Sequence, residues 1–289
     1  LFTEMLHSSA IVNGDSSKLL EFDKSEHPVG LQLGGNEPKV LNQAIKIASK
    51  FAYDEVNLNC GCPSSRVLAG NFGVALMKNP TIVADCIKAM KDGSDARVSV
   101  KHRIGIDDNK DYSFVRDFVG KVRDAGCNLF YVHSRCAMSN LSPKKNRKIP
   151  PIDMLKVRLL KRDFPDCQFV ANGELDSVAK CISILDRNEH LGLPGADGVM
   201  LGRAIWKFPA LLSELQKAFY PEKNIHSLRD VVESLECYYS LQNNRGVDTR
   251  RVVRSWVNLF NKQKGAKKWR IMLGEGLKPM EIYQMVFCS

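Results

Sequence analysis

Strand-like runs alternating with helix-like runs constrain this chain more than any other feature. Strand character recurs at Leu1–Met5, Pro28–Leu33, Glu55–Asn59, Arg97–Arg103, Leu129–His133, Gln168–Asn172 and Gly198–Leu201. Between them Pro38–Phe51, Thr81–Lys91, Ser113–Ala125, Pro151–Asp163 and Ser177–Leu185 carry apolar residues at helical spacing. Pro38 and Pro151 suit a helix's first turn, and Ser113 and Ser177 suit its cap. Alternation of this kind implies parallel βαβ units. The two architectures open to it are an open doubly wound sheet and a closed (β/α)8 barrel. The Gly-x-Gly-x-x-Gly turn usual in the first is nowhere in the chain. The expectation is therefore an α/β TIM barrel that shows seven of its strands, its first lying upstream of Leu1.

From Ser227 the strand pattern stops, and Val231, Leu235, Tyr238, Tyr239 and Leu241 fall at helical spacing. We expect residues 1–220 to form the barrel and residues 221–289 a small helical domain. Ser227–Ser289 holds eleven Lys and Arg against six Asp and Glu, half of the chain's net charge of +10. Such a surface suits a polyanion. Trp256 and Trp269 lie in it, and packing a small core explains them better than stacking on bases. No run of about 18 apolar residues occurs, which excludes a membrane-spanning helix. Nine cysteines, an odd number without repeating spacing, point to a reducing compartment rather than a disulfide framework.

Working groups of a barrel sit at the C-terminal ends of its strands. That rule selects Gln32, Asn59, Lys101, Arg103, His133, Asn172 and Arg203. Barrels often hold phosphate on the last two βα loops, which here begin at Asn172-Gly173 and Gly202-Arg203. As isolated pairs these would be ordinary turns, and their location is what favours phosphate. Lys144, Lys145, Arg147 and Lys148 crowd the loop after His133, where a solvated charge run is the competing explanation.

Cys62 follows a strand directly, on a loop punctuated by Gly61 and Pro63. Cys86 and Cys181, inside helical patterns, read as buried small hydrophobes, but packing explains Cys62 less well. Cys60-x-Cys62 as half of a metal site is disfavoured, because no second Cys/His pair has zinc spacing. We therefore expect no metal. A thiol of ordinary acidity is mostly protonated at neutral pH and can give up a proton.

The ordered set Thr3-Glu4-Met5, Leu31–Gly35, Asn57-Leu58-Asn59, Gly61-Cys62-Pro63, Val100-Lys101, Arg103-Ile104-Gly105, His133, Leu141–Lys144, Asn172-Gly173 and Gly202-Arg203 resembles the tRNA-dihydrouridine synthases, nearest their bacterial A-type. The resemblance runs from Leu1 to about Phe219 and more loosely beyond. It implies an FMN-bound barrel that reduces the C5=C6 bond of particular tRNA uridines with NADPH. Cys62 would protonate C5, while hydride reaches C6 from reduced flavin. Gln32, Lys101, His133, Asn172, Gly173, Glu174, Gly202 and Arg203 would hold FMN. Asn59 and Arg103 would meet the substrate, Lys144, Lys145 and Arg147 the tRNA, and Arg251 and Arg254 in the helical tail its backbone.

The family opens on a strand carrying Ala-Pro-Met that this chain lacks. Cys60 replaces an aliphatic residue, which would permit its oxidation with Cys62. Glu174 stands where Gly is common and puts an anion near the expected phosphate. A monomer in the cytoplasm is expected, an organelle being the alternative compartment. Two other functions compete: an FMN barrel dehydrogenase acting on a small molecule, and a tRNA-binding protein without catalysis.

Overall fold

The computed structural model describes residues 1–288 and contains seven parallel strands in one sheet. They are β1 (Leu6–His7), β2 (Gly30–Gly34), β3 (Glu55–Cys60), β4 (Arg97–Arg103), β5 (Leu129–His133), β6 (Gln168–Asn172) and β7 (Gly198–Met200). Each strand pairs with the next in chain order, from β1 to β7. A doubly wound sheet reverses its order at a switch point, and this one never does. Uninterrupted sequential winding with helical crossovers is the topology of a (β/α) barrel.

The first strand is shifted from the expected Leu1–Met5. Phe2 makes an isolated bridge to Gly30, whereas the ladder proper pairs Leu6 with Leu33. Four steps along the first segment thus oppose three along β2, the count of a bulge. The cause lies in Thr3, whose hydroxyl takes the backbone N–H of Gln32 that a regular ladder would use. Short helices at Ser8–Asn13 and Ser16–Leu20 follow, and the sequence pattern had not announced them.

The outer faces of the strands are apolar. Val56, Leu58 and Cys60 of β3 and Val98 and Val100 of β4 are buried. The helix Pro38–Ala48 buries Leu41, Ala44, Ile45 and Ala48, and Pro80–Lys91 buries Val83, Ala84, Cys86, Ile87 and Met90. Both carry Pro at the start of their first turn. The third barrel helix, Tyr112–Asp124, has Asp111 rather than Ser113 at its N-cap position, without a side-chain cap bond. The next begins at Leu155, four residues beyond the expected Pro151. The residues before it are tied elsewhere: Ser134 O accepts from Asp153 N, and Arg135 donates to the Pro150 carbonyl.

The chain resolves into two compact units, Leu1–Gly173 with Ser183–Met200, and Glu174–Ile182 with Leu201–Ser289. The second is helical, with its long helix Leu228–Asn244 opened by a reciprocal cap between Ser227 and Asp230. Its core gathers Val232, Tyr239, Phe260, Trp269, Leu273 and Ile282. Trp269 is fully buried and donates Nε1–H to the Trp256 carbonyl at 3.0 Å, so both tryptophans are packing residues. Among the described residues no helix is long and apolar enough to cross a membrane.

Candidate active site

Strand alternation turns Glu55, Asn57 and Asn59 to the face of β3 opposite Val56, Leu58 and Cys60. Register then aligns Asn59 with Lys101, Arg103 with His133, and His133 with Asn172. Four neighbouring strands thus finish in polar side chains, Asn59 and Lys101 on one level and Arg103, His133 and Asn172 on the next. Lys101 Nζ donates to Asn172 Oδ1 at 3.1 Å, and Asn172 Nδ2 donates to the Met200 carbonyl at 2.8 Å. Gln32 joins from β2, its Oε1 accepting from Asn59 Nδ2 at 2.8 Å.

Beyond β3 the backbone turns sharply, and Asn59 shapes that turn. Its Oδ1 accepts from the backbone N–H groups of both Gly61 and Cys62, at 3.0 and 2.9 Å. Gly73, at φ +61°, lies against the far side of the loop, where Val74 N–H donates to the Cys62 carbonyl at 3.1 Å. Cys62 is half-buried, and its thiol points at the Ser64 hydroxyl 3.6 Å away. Cys60 is different: its thiol is fully buried on the outer face of β3, where burial pushes its pKa well up and the Cys86 and Cys127 thiols add to the shift. Among the described residues no cluster of three metal-binding side chains occurs.

The Lys101 side chain keeps some exposure, yet its ammonium lies deep among protein atoms. Burial, with the Arg103 guanidinium adding, draws its pKa down from 10.5 to about 8. A cation so placed favours an anionic or electron-rich group. Gln32 has one N–H and one carbonyl lone pair left after its two internal bonds. These residues fit the electron-rich edge of a flavin.

Arg103 corrects the sequence reading. Expected at the substrate, it is 3% exposed, and its guanidinium serves backbone carbonyls: Gly61 at 2.9 Å, Cys136 at 3.1 Å and Asn146 at 3.4 Å. It clamps the Cys62 loop to the loop after β5, and little of it is exposed. In that second loop Asn146 is buried, while Lys144, Lys145 and Arg147 are exposed. Sequence reasoning had passed over Asn146, Ser99, Asn57 and Glu55. The signal for the last two was available, as polar residues two apart within β3.

The two expected phosphate glycines differ. Gly173 sits at φ +132°, and a Cβ there would lie 2.7 Å from Ser134 Oγ, so the protein's own packing demands it. A Cβ on Gly202 would meet nothing within 4 Å, so packing does not. Gly202 precedes the short helix Arg203–Lys207, and Arg203 is exposed. Glu174 is exposed with a left-handed backbone, φ +52°. Arg251 and Arg254 are exposed within or just after the helix Thr249–Val253.

A sequence model described as dihydrouridine synthase matches residues 1–286. A tRNA-dihydrouridine(20/20a) synthase of Xanthomonas campestris is 40% identical over 279 residues, covering 96% of this chain and 80% of that protein. Proteins of the same name from Pasteurella multocida and Pseudomonas putida are 43% and 42% identical over 277 and 275 residues. Those alignments cover 95% and 94% of this chain, and 82% and 80% of the two relatives.

Proposed function

The chain belongs to the dihydrouridine synthase family of flavin-dependent oxidoreductases, and from that premise we propose that it reduces uridines of tRNA at positions 20 and 20a, as its relatives' names specify. FMN is the flavin in this reading and NADPH the electron donor, and the cytoplasm is its setting. One observation carries it: Cys62 stands on a turn hydrogen-bonded to Asn59, just beyond strand ends whose register sets Asn59 beside Lys101 and His133 beside Asn172.

Gln32, Lys101, His133 and Asn172 would hold the flavin ring, while Gly202 and Arg203 have the chemistry to meet a phosphate. The open space beside Gly202 leaves its backbone accessible to a phosphate oxygen. FMN, if held there and reduced by NADPH, would be the source of the hydride that uracil C6 takes up. Cys62 gives its thiol proton to C5, which completes the reduction, and the thiol is then reprotonated from solvent. Asn59 holds the turn that carries the thiol and bonds to Gln32, so it would link the residue nearest the uracil to one that would hold the flavin.

A base in folded tRNA must be unstacked to reach such a pocket, at a few kcal/mol. Phosphate contacts offset that, and the exposed Lys144, Lys145, Arg147, Arg251 and Arg254 are suited to make them. Residues 221–289 would grip the tRNA backbone. The test is dihydrouridine formation in unmodified tRNA with FMN and NADPH. Cys62→Ala should retain flavin and lose about 100-fold or more in turnover. Undiminished turnover in that variant removes Cys62 from the chemistry.

A further inference from the structure

Barrel interiors are usually filled with Val, Ile and Leu. Here the inward side of β3 is polar along its length, and Asn57 and Ser99, in register on β3 and β4, are fully buried. Buried polar groups are costly unless every one is satisfied. These are satisfied by a single directed chain. The N–H groups of Gly61 and Cys62 donate to Asn59 Oδ1, and Asn59 Nδ2 donates to Gln32 Oε1 at 2.8 Å. Gln32 Nε2 donates to Asn57 Oδ1 at 3.0 Å, and Asn57 Nδ2 to Ser99 Oγ at 2.7 Å. Ser99 Oγ–H in turn donates to Glu55 Oε1, while Tyr131 donates to Oε2 at 2.9 Å.

Both ends of this chain have fixed roles. A backbone N–H can only donate, and an ionised carboxylate can only accept. With the ends fixed, none of the three intervening amides can turn over without setting donor against donor. Burial raises the Glu55 pKa, and the bonds from Ser99 and Tyr131, together with the Arg97 charge, pull it back toward the ionised form. Of the three amides Gln32 alone is not buried. We propose that Glu55 and Ser99 are positioning residues: through Asn57 they fix which atoms of the Gln32 amide are offered to the flavin. The proposal deepens the flavoenzyme reading and rests on it.

The test uses the full chain, stripped of flavin and titrated with FMN by fluorescence quenching, with the absorption spectrum of the bound flavin recorded. Ser99→Ala cuts the chain of donors. It should raise the FMN dissociation constant about tenfold, the equivalent of one lost hydrogen bond, and shift the flavin maxima. Tyr131→Phe takes a partner from Glu55 but leaves the directed chain intact, so it should lower thermal stability without either effect. Glu55→Gln, which retains the side-chain shape but ends the acceptor-only terminus, should act in the same sense as Ser99→Ala and serves if that variant does not fold. Ser99→Ala or Glu55→Gln with wild-type affinity and spectrum overturns the proposal, as does Tyr131→Phe shifting both as strongly. Wild-type protein that binds no FMN would overturn the flavoenzyme reading as well, so the two failures are distinguishable.

Discussion

Arg103 Nε lies 2.9 Å from the carbonyl oxygen of Gly61, so a side chain of one strand holds the residue just before the thiol that follows its neighbour. Burial brings the Arg103 pKa down to about 10, with the Cys62 thiol partly opposing the shift, and the guanidinium stays charged at neutral pH. Arg103→Ala strips three carbonyls of a charged donor and should cost about 3 kcal/mol or more of stability. Arg103→Lys can reach only part of the set. At saturating FMN it should still lose on the order of tenfold in dihydrouridine formation, because the thiol is less well aimed. Denaturant melts paired with single-turnover assays check this, and wild-type turnover in both variants would count against the clamp.

Lys101 gives the flavin-free protein a pH signature. Its pKa is about 8 when folded, against 10.5 ordinarily. Between those values the unfolded chain binds a proton that the folded chain has released, so stability should rise with pH across that window. Below pH 8 the cost of the buried charge is present in full. Lys101→Met removes it, and allowing for the lost bond to Asn172 the variant should be more stable at pH 7 by about 2 kcal/mol. That advantage should shrink from pH 8 to 10.5 in urea titrations, while affinity for FMN falls. An advantage growing with pH would contradict the assignment.

What could be read from the residues divides along physical lines. β4, β5 and β6 begin and end where their hydrophobic pattern does, because alternation marks the first and short apolar runs closed by polar residues mark the other two. The first strand was misplaced by a bulge, since Phe2-Thr3-Glu4-Met5-Leu6 has no strict alternation to show where the register slips. Strand-end position was legible for Gln32, Asn59, Lys101, His133 and Asn172, which the fold does bring to neighbouring strand ends. Arg103 was not legible: an arginine closing a strand looks the same whether it faces substrate or spends its donors on carbonyls far off in sequence. The Glu55–Ser99 chain escaped for the same reason, because pairing across β3 and β4 depends on register.

Glu174 occupies a left-handed backbone conformation at φ +52°, which costs a side chain with Cβ roughly 1 kcal/mol. Glycine adopts it freely but loses more entropy on folding. Glu174→Gly should therefore hold or slightly raise the melting temperature, whereas Glu174→Val, with its branched Cβ, should lower it. Calorimetric scans of the two variants decide the matter, and equal losses in both would show that the Glu174 side chain itself stabilises the loop.

The basic loop after β5 separates charge from scaffold within a few residues. Asn146 is buried, accepts from Met138 N–H at 2.8 Å, and donates to the carbonyls of Met138 and Leu141, each at 2.8 Å. Lys144, Lys145 and Arg147 around it are exposed. If they contact phosphates, replacing all three with Ala should weaken tRNA binding and reduce the slope of log affinity against log salt by about 2. Asn146→Ala removes no charge. It should loosen the loop, so that binding weakens through the entropy of ordering it again while the salt slope stays near the wild-type value. Filter binding across a salt series separates the two effects. Equal slope losses in both variants would mean that the charges act only when Asn146 holds them, and an unchanged affinity in the triple variant would take this loop off the RNA.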